Sequence, residues 1–104
     1  MSDHALVLAT CGDRKEADAI ARRLVSDGLA AGVQIVTVAS VYTWKGEVVD
    51  DDEFLLICKT RTGLYDRVQA AIASMHSYEV PPILMLPIEQ ASEGYLAWID
   101  EVTE

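Results

Sequence analysis

The sequence predicts an α+β fold in which two helices lie on one face of an antiparallel sheet. Residues 33–60 contain two runs rich in β-branched and aromatic residues, separated by the turn-like pair Lys45-Gly46, which is the pattern of a long β-hairpin. A segment with helical periodicity lies on each side of this hairpin, and a short apolar run lies beyond each of those segments. The predicted order is therefore β-α-β-β-α-β, followed by one more helix.

The first part of the chain predicts a buried strand followed by an amphipathic helix. Residues 5–9 are continuously apolar, as in a strand that is covered on both faces. Asp13 can cap the next helix, with Glu16 in the reciprocal position of a capping box, and Asp27-Gly28 can close it. Apolar residues at spacings of three and four predict the buried side of this helix: Ala17, Ile20, Ala21, Leu24 and Val25.

The hairpin is too long for a single small core. Its first arm, residues 33–45, would extend to roughly 40 Å, against a radius of gyration of about 13 Å for a domain of this size, so we expect it to project. A change in the parity of its apolar residues predicts a β-bulge between Val36 and Ser40. The returning arm is apolar without alternation over residues 54–58, which indicates cover on both faces and hence self-association. The acidic residues 50–53 are interpreted as a solvated loop or as protection against edge pairing.

The second half completes the sheet. Thr62 is predicted to cap a helix that stops before Pro81-Pro82, because the residue before a proline is disfavoured in the α region. Residues 83–86 predict a fourth strand, and Pro87 places it at an edge because proline lacks a ladder donor. Ser92 can cap the last helix. With right-handed crossovers, this order gives a ferredoxin-like βαββαβ sandwich with a long β2–β3 hairpin, an extra C-terminal helix and one uncovered sheet face.

Composition limits the classes of function. The chain has 104 residues and a mass of 11.4 kDa, which predicts one domain over residues 1–104. A net charge of -9 argues against a nucleic-acid surface, and no apolar stretch approaches the roughly 20 residues needed to cross a bilayer. Cys11 and Cys58 form no CxxC pair, so we expect a cytoplasmic protein with reduced thiols.

The segment after the second helix offers candidate metal ligands. His76 and Glu79 can supply nitrogen and oxygen ligands to a divalent ion, and Met75 adds a thioether suited to copper(I). Alternatively, His76 interacts with the helix dipole and Glu79 accepts a local hydrogen bond. Cys11 is either part of a functional loop or a small core residue. Lys59 either pairs with Glu79 or an anionic ligand, or is a strand-end charge that reaches solvent.

The sequence resembles the CutA divalent-cation-tolerance family. Six segments carry the resemblance in the family's order: residues 29–35, 41–47, 56–60, 76–81, 86–88 and 95–99. The resemblance implies a ferredoxin-like protomer in a homotrimer, with the long hairpins packed around the three-fold axis, and a link to copper and other divalent ions. Of the positions that the family associates with metal, this chain retains His76. Family members commonly carry Cys where this chain has Gly32, and some carry Cys at Ala9, so we expect Cu(II) or another divalent cation to bind weakly.

The hairpin tip and a predicted cleft provide two further expectations. Trp44 is predicted to pack on a neighbouring subunit of the trimer, because a large indole is costly to leave in water. The alternative function is a trimeric small-ligand sensor resembling the PII signalling proteins, with a ligand in an intersubunit cleft. The residues predicted to line this cleft are Tyr42, Lys59, Tyr78 and Trp98. We expect no enzymatic activity, since no nucleophile–base–orienter set is visible and the asparagine used by acylphosphatases of the same fold is missing.

Overall fold

A computed structural model describes residues 3–104, and these residues form a four-stranded antiparallel sheet with helices packed against it. The strands lie in the order β2-β3-β1-β4. This confirms the predicted α+β, ferredoxin-like arrangement, the edge position of β4 and the extra C-terminal helix. The elements are β1 (His4–Cys11), α1 (Arg14–Ser26), β2 (Gly32–Trp44), β3 (Glu47–Arg61), a 3-10 turn (Thr62–Leu64), α2 (Tyr65–Met75), β4 (Ile83–Pro87) and α3 (Glu93–Val102).

The core lies between the sheet and the helices α1 and α2. Alternate side chains of β1 face the helices and are buried, from Ala5 to Cys11. Register with β3 places Leu56 and Cys58 on the same face, and both are fully buried. The helices contribute further fully buried side chains to this core: Ile20 and Leu24 from α1, and Val68 and Ile72 from α2. The helices therefore cover β1 and the adjoining part of β3 within one protomer.

Local sequence signals set several ends and turns as predicted. Asp13 accepts a hydrogen bond from the Lys15 N–H at 3.4 Å and caps α1, and Ser92 caps α3 in the same way. Lys45 and Gly46 both have positive φ, 51° and 83°, which is the type I′ turn of a two-residue hairpin. The hairpin connection therefore follows from turn chemistry alone.

The predicted β-bulge is wrong. β2 and β3 pair in one unbroken register from Gly32↔Lys59 to Trp44↔Glu47. A bulge would be needed only if all apolar residues of β2 faced the core of their own protomer. β2 extends beyond that core, and Val36 is already 40% exposed. Apolar residues can therefore lie on either face of this part of the strand without a change of register.

The predicted Thr62 cap is also wrong. The α-helix begins at Tyr65, and Leu64 occupies its N-cap position without a side-chain hydrogen bond. The intervening 3-10 turn brings the Leu64 side chain into the core, where it is 6% exposed. Packing of one leucine has taken precedence over a polar cap.

The hairpin projects beyond the core, as predicted. The protomer measures 44 × 25 × 22 Å. Pairing between β1 and β3 ends at Cys11↔Phe54, so the part of β3 nearer the turn has β2 on one side and no strand of residues 3–104 on the other. Side chains there are largely exposed, with Val41 at 69% and Val48 at 74%.

The sheet face opposite the two main helices is covered only at one end, by α3. Asp100 accepts from His4 across 2.8 Å, and the Arg61 guanidinium donates to Thr103 at 2.9 Å. Elsewhere on this face apolar side chains meet solvent, including Val36, Leu84 and Leu86 at 40–49% exposure. Helices long and apolar enough to span a bilayer do not occur within residues 3–104.

Candidate functional site

The connection between α2 and β4 crosses the end of β1 and brings three parts of the chain together. The His76 ring lies 2.6 Å from the carbonyl oxygen of Thr10. The Tyr78 ring lies against Gly12, where an added Cβ would be 2.7 Å from the tyrosine oxygen. Only glycine leaves room for this close approach without a shift of the tyrosine. The end of β1, the start of α1 and the segment 76–82 therefore meet at one place.

His76 has a buried side chain that uses both ring nitrogens. Its Nδ1 accepts a hydrogen bond from the backbone N–H of Tyr78 at 3.1 Å. Because the carbonyl of Thr10 can only accept, the nearby Nε2 must carry hydrogen and donate it. This hydrogen-bond network assigns the neutral tautomer with hydrogen on Nε2.

Three potential metal ligands converge next to this imidazole. Ligand atoms of Cys11, Glu16 and His76 all lie within 4.8 Å of one another. The Glu16 carboxylate is 3.9 Å from His76 Nδ1 and accepts from the Ser77 hydroxyl at 3.2 Å. Glu16 is thus directed at the segment 76–82, whereas the sequence placed it in a capping box.

The Cys11 thiol is held in its protonated form. Burial raises the pKa of Cys11 to about 11, and the negative charges of Glu16, Glu53 and Asp13 add to the rise. A thiolate is the form that binds a metal, so coordination by Cys11 would release a proton. The cluster can hold a cation only at that cost.

Of the metal ligands suggested by the sequence, His76 belongs to this cluster. Met75 is half-buried and packs against the core. Glu79 is exposed, and its carboxylate lies 3.9 Å from the Lys45 ammonium. Glu16 was missed because spacing along the chain relates a residue only to its neighbours, and Glu16 meets His76 through tertiary packing.

A buried carboxylate lies nearby on the other face of the sheet. Glu53 is 4% exposed and accepts a hydrogen bond from the Tyr78 hydroxyl at 2.6 Å. Burial, this hydrogen bond and the charge of Glu53 all raise the pKa of Tyr78. The interpretation of residues 50–53 as a solvated acidic run is therefore wrong for its last member. The signal was available, since Glu53 shares strand parity with Leu55 and Ile57.

Glu53 lies at the wall of a cavity of about 640 Å³ between the hairpin and the segment 76–82. Tyr42, Trp44 and Tyr78 supply aromatic surface, and Glu79 adds a second carboxylate. Tyr42 donates to Asp51 at 3.2 Å, and its pKa is raised by burial first and then by this contact. The cavity thus combines aromatic rings with negative charge.

The four residues predicted to line the ligand cleft form two separate pairs in the protomer. Tyr42 and Tyr78 line the cavity. Lys59 donates to Gln34, and the Trp98 ring lies 3.5 Å from where a Cβ on Gly32, the strand partner of Lys59, would be. Burial lowers the pKa of Lys59. Lys59 lies six positions after Glu53 on β3, which is roughly 20 Å along a strand. A single protomer therefore does not assemble all four residues around one ligand.

Trp44 lies beside the hairpin turn and is 41% exposed in the protomer. The ammonium of Lys45 lies 5.6 Å from the centre of its ring. This indole is therefore available for contact with another molecule.

Comparison with known proteins places this geometry in one family. Residues 5–102 match the family described as CutA1 divalent ion tolerance protein. The divalent-cation tolerance protein CutA of Thermus thermophilus is 41% identical over 99 residues, which cover 94% of this chain and 96% of that protein. Protein CutA of Mus musculus is 40% identical over 96 residues, covering 91% of this chain but only 54% of the mouse protein. The chain thus spans about half the length of the mammalian relative.

A solved structure is similar over nearly the whole chain. The periplasmic divalent cation tolerance protein CutA of Archaeoglobus fulgidus superposes with a TM-score of 0.94 at 38% identity. The alignment covers 97% of this chain and 99% of the archaeal chain. The fold, the long hairpin and the C-terminal helix are therefore shared features.

Proposed function

Because the chain belongs to the CutA1 divalent ion tolerance family, we propose that it binds divalent cations, copper among them, as a homotrimer that serves metal tolerance. The observation that supports metal binding is the convergence of Cys11, Glu16 and His76 within 4.8 Å. Thiolate, imidazole and carboxylate ligands together suit copper and zinc better than magnesium or calcium.

The donor set fits a metal ion after a small contraction. Bonds of about 2.0–2.3 Å to sulfur, nitrogen and oxygen in a tetrahedral site put the ligand atoms roughly 3.3–3.8 Å apart. The 3.9 Å between His76 Nδ1 and the Glu16 carboxylate is already close to that separation. When bound, the ion would supply a positive charge beside the Glu16 carboxylate, whose partners in the cluster are the neutral imidazole of His76 and the Ser77 hydroxyl.

Two costs make the proposed binding weak. The Nδ1 lone pair of His76 now accepts from the Tyr78 backbone N–H, and that hydrogen bond would be given up. Cys11 would lose its proton, against the burial that raises the pKa of its thiol. These costs agree with the weak binding expected from the missing cysteines at residues 9 and 32.

The proposed homotrimer is supported by surfaces that one protomer leaves uncovered. Val36, Leu84 and Leu86 expose apolar surface on one sheet face, and the hairpin projects past the core with Trp44 near its tip. Exposed apolar surface of this kind is typical of protein interfaces. Light scattering on a sizing column is expected to return three times the protomer mass of 11.4 kDa. A stable monomer would contradict the proposed assembly.

The metal proposal is tested by calorimetric titration with Zn(II) and Cu(II), supported by the thiolate-to-metal charge-transfer absorption of Cd(II). Cys11→Ser and His76→Gln should each remove most of the binding and leave the oligomer size unchanged. Cys58→Ala and His4→Gln are the matched controls, because each alters the same residue type outside the cluster.

Three further variants separate the two candidate ligand sets. Met75→Leu and Glu79→Gln should leave the affinity unchanged if the cluster holds the ion, whereas Glu16→Gln should weaken it. Loss of binding in Glu79→Gln with full binding in Cys11→Ser would move the site to the set suggested by the sequence. Unchanged affinity in all five site variants would show that the protein does not bind metal at the segment 76–82.

A further inference from the structure

The Glu53 carboxylate is buried without a counter-charge. It is 4% exposed, and within residues 3–104 no lysine, arginine or histidine forms an ion pair with it. The Tyr78 hydroxyl donates to one of its oxygens, at 2.6 Å, but adds no positive charge. Burial of an ionised carboxylate is costly unless a cation or several donors compensate it. The position is therefore electrostatically incomplete in the protomer.

The cavity beside Glu53 has the surroundings that suit an alkylammonium ion. Rings of Tyr42, Trp44 and Tyr78 line it, and aromatic faces attract cations. The chain already shows such a contact at the rim, where the Lys45 ammonium lies 5.6 Å from the Trp44 ring centre and 3.9 Å from the Glu79 carboxylate. Lys45 is itself largely exposed, so this is a rim contact and leaves the deeper Glu53 uncompensated.

Size separates an organic ammonium from a bare metal ion. A volume of about 640 Å³ lies in the range of roughly 300–1,000 Å³ that is typical of small-molecule sites. Hard divalent cations need several oxygen ligands in close geometry, and most of this wall is aromatic or aliphatic. A molecule with one ammonium group and several carbon atoms uses both features of the cavity.

We propose that this cavity binds a small primary amine. Its ammonium group donates to the Glu53 carboxylate at the oxygen opposite Tyr78, and its carbon chain packs on the rings of Tyr42 and Tyr78. A diamine places its second ammonium at the rim, near Glu79. The site lies apart from the Cys11 cluster, because Cys11 faces the helices and Glu53 faces the other side of the sheet.

The test titrates the assembled protein with n-butylamine and 1,4-diaminobutane, with 1-butanol and 1,4-butanediol as neutral probes of equal length. Fluorescence of Trp44 in a Trp98→Phe background and calorimetry report binding. We expect both amines to bind, the diamine more tightly, and the alcohols to bind at least about tenfold more weakly.

Glu53→Gln is the decisive variant, because it removes the charge and retains an oxygen that can accept from Tyr78. It should weaken amine binding about 10-fold to 100-fold, as expected for loss of a hydrogen bond to a charged group. Asp52→Asn is the matched control, since it changes the net charge by the same amount at an exposed neighbour on the same strand. Its effect should be less than about twofold.

Three results would overturn the proposal. Equal weakening by Glu53→Gln and Asp52→Asn would show that amines bind through the general negative charge. Equal affinity for amines and alcohols would show that the cavity does not recognise an ammonium group. If amines fail to bind while Glu53→Gln lowers the oligomer size, a cation of a second copy compensates Glu53, and the cavity is part of an assembly contact. None of these results bears on Zn(II) binding at Cys11, so the two proposals can fail separately.

Discussion

The two halves of β3 share one strand and one register but differ in what covers them. Both pair with β2 without interruption, from Glu47 at the turn to Lys59 near the core. The half from Phe54 onward also pairs with β1 and lies under the helices, and Leu56 and Cys58 are fully buried there. The half before Phe54 has neither cover within residues 3–104, and Val48 is 74% exposed.

This difference shows that strand propensity and strand burial have separate causes. β-branched and aromatic residues favour the pleated backbone in both halves, whereas burial depends on whether β1 and the helices reach that far. An unpaired strand edge invites association, and the exposed Asp50, Asp51 and Asp52 lie along it. Glu53 lies at the boundary between the two halves, next to the last residue of β3 that pairs with β1. There the Tyr78 side chain covers the Glu53 carboxylate. The core half accordingly provides stability, and the half near the turn is available for assembly and ligands.

The largest effect expected from this comparison is on folding stability. Leu56→Ala should lower the free energy of unfolding by about 2–5 kcal/mol, because it leaves a cavity beneath the helices. Val48→Ala removes an exposed side chain of the same strand and should change it by less than about 0.5 kcal/mol. Urea unfolding of both variants at equal protein concentration measures the contrast.

Similar losses in the two variants would contradict the division of β3. A large loss in Val48→Ala that disappears at high protein concentration would instead show that Val48 is buried by assembly, because the stability of an oligomer depends on its concentration.

The next effect concerns assembly by the exposed half. Trp44→Ala should weaken the proposed trimer by roughly 1.5–3 kcal/mol, the value of burying one large side chain. Light scattering across a dilution series measures the change. Acrylamide quenching of Trp44 in a Trp98→Phe background provides the control, since an indole docked on a neighbouring subunit is protected. Ready quenching in the intact oligomer would show that the hairpin tip does not dock.

Local chemistry explains which parts of the fold could be predicted. The turn at Lys45-Gly46, the caps at Asp13 and Ser92 and the edge position of Pro87 each depend on a residue's own backbone preference. The predicted bulge was wrong because the projecting arm does not belong to the protomer's core, and β2 pairs with β3 without interruption. Thr62 failed as a cap because burial of a neighbouring leucine moved the helix start.

The candidate site could be predicted only in part, for a related reason. His76 was identified from its chemistry, but its neighbours Cys11 and Glu16 lie more than 50 residues earlier in the chain. They meet because Gly12 leaves room for the Tyr78 ring and thereby sets the path of the segment 76–82. No spacing rule in the sequence contains that contact. Burial of Glu53, in contrast, could be predicted from the sequence, because Glu53 shares strand parity with Leu55 and Ile57. The three aspartates before it favoured the interpretation as a solvated acidic run.

The smallest expected effect is a pH dependence of stability caused by the Cys58 thiol, which lies in the buried half of β3. Burial raises the pKa of the Cys58 thiol from 9.0 to about 12. Below about pH 8 the thiol is neutral in both states and does not affect stability. As pH rises through 9 the unfolded state ionises first, so the free energy of unfolding falls towards the folded pKa. The expected loss from this thiol is on the order of 1 kcal/mol at pH 10. Cys58→Ala lacks this thiol, so the difference in free energy of unfolding between the wild type and the variant should be constant below pH 8 and shrink above pH 9.

Val48→Cys, studied with reductant, is the control, because it puts a thiol on the exposed half of the same strand. It should add no such pH dependence, because its surroundings are aqueous in both states. Parallel pH profiles for wild type and Cys58→Ala would mean that water reaches the sheet beneath the helices and that the two halves of β3 differ less than their packing indicates.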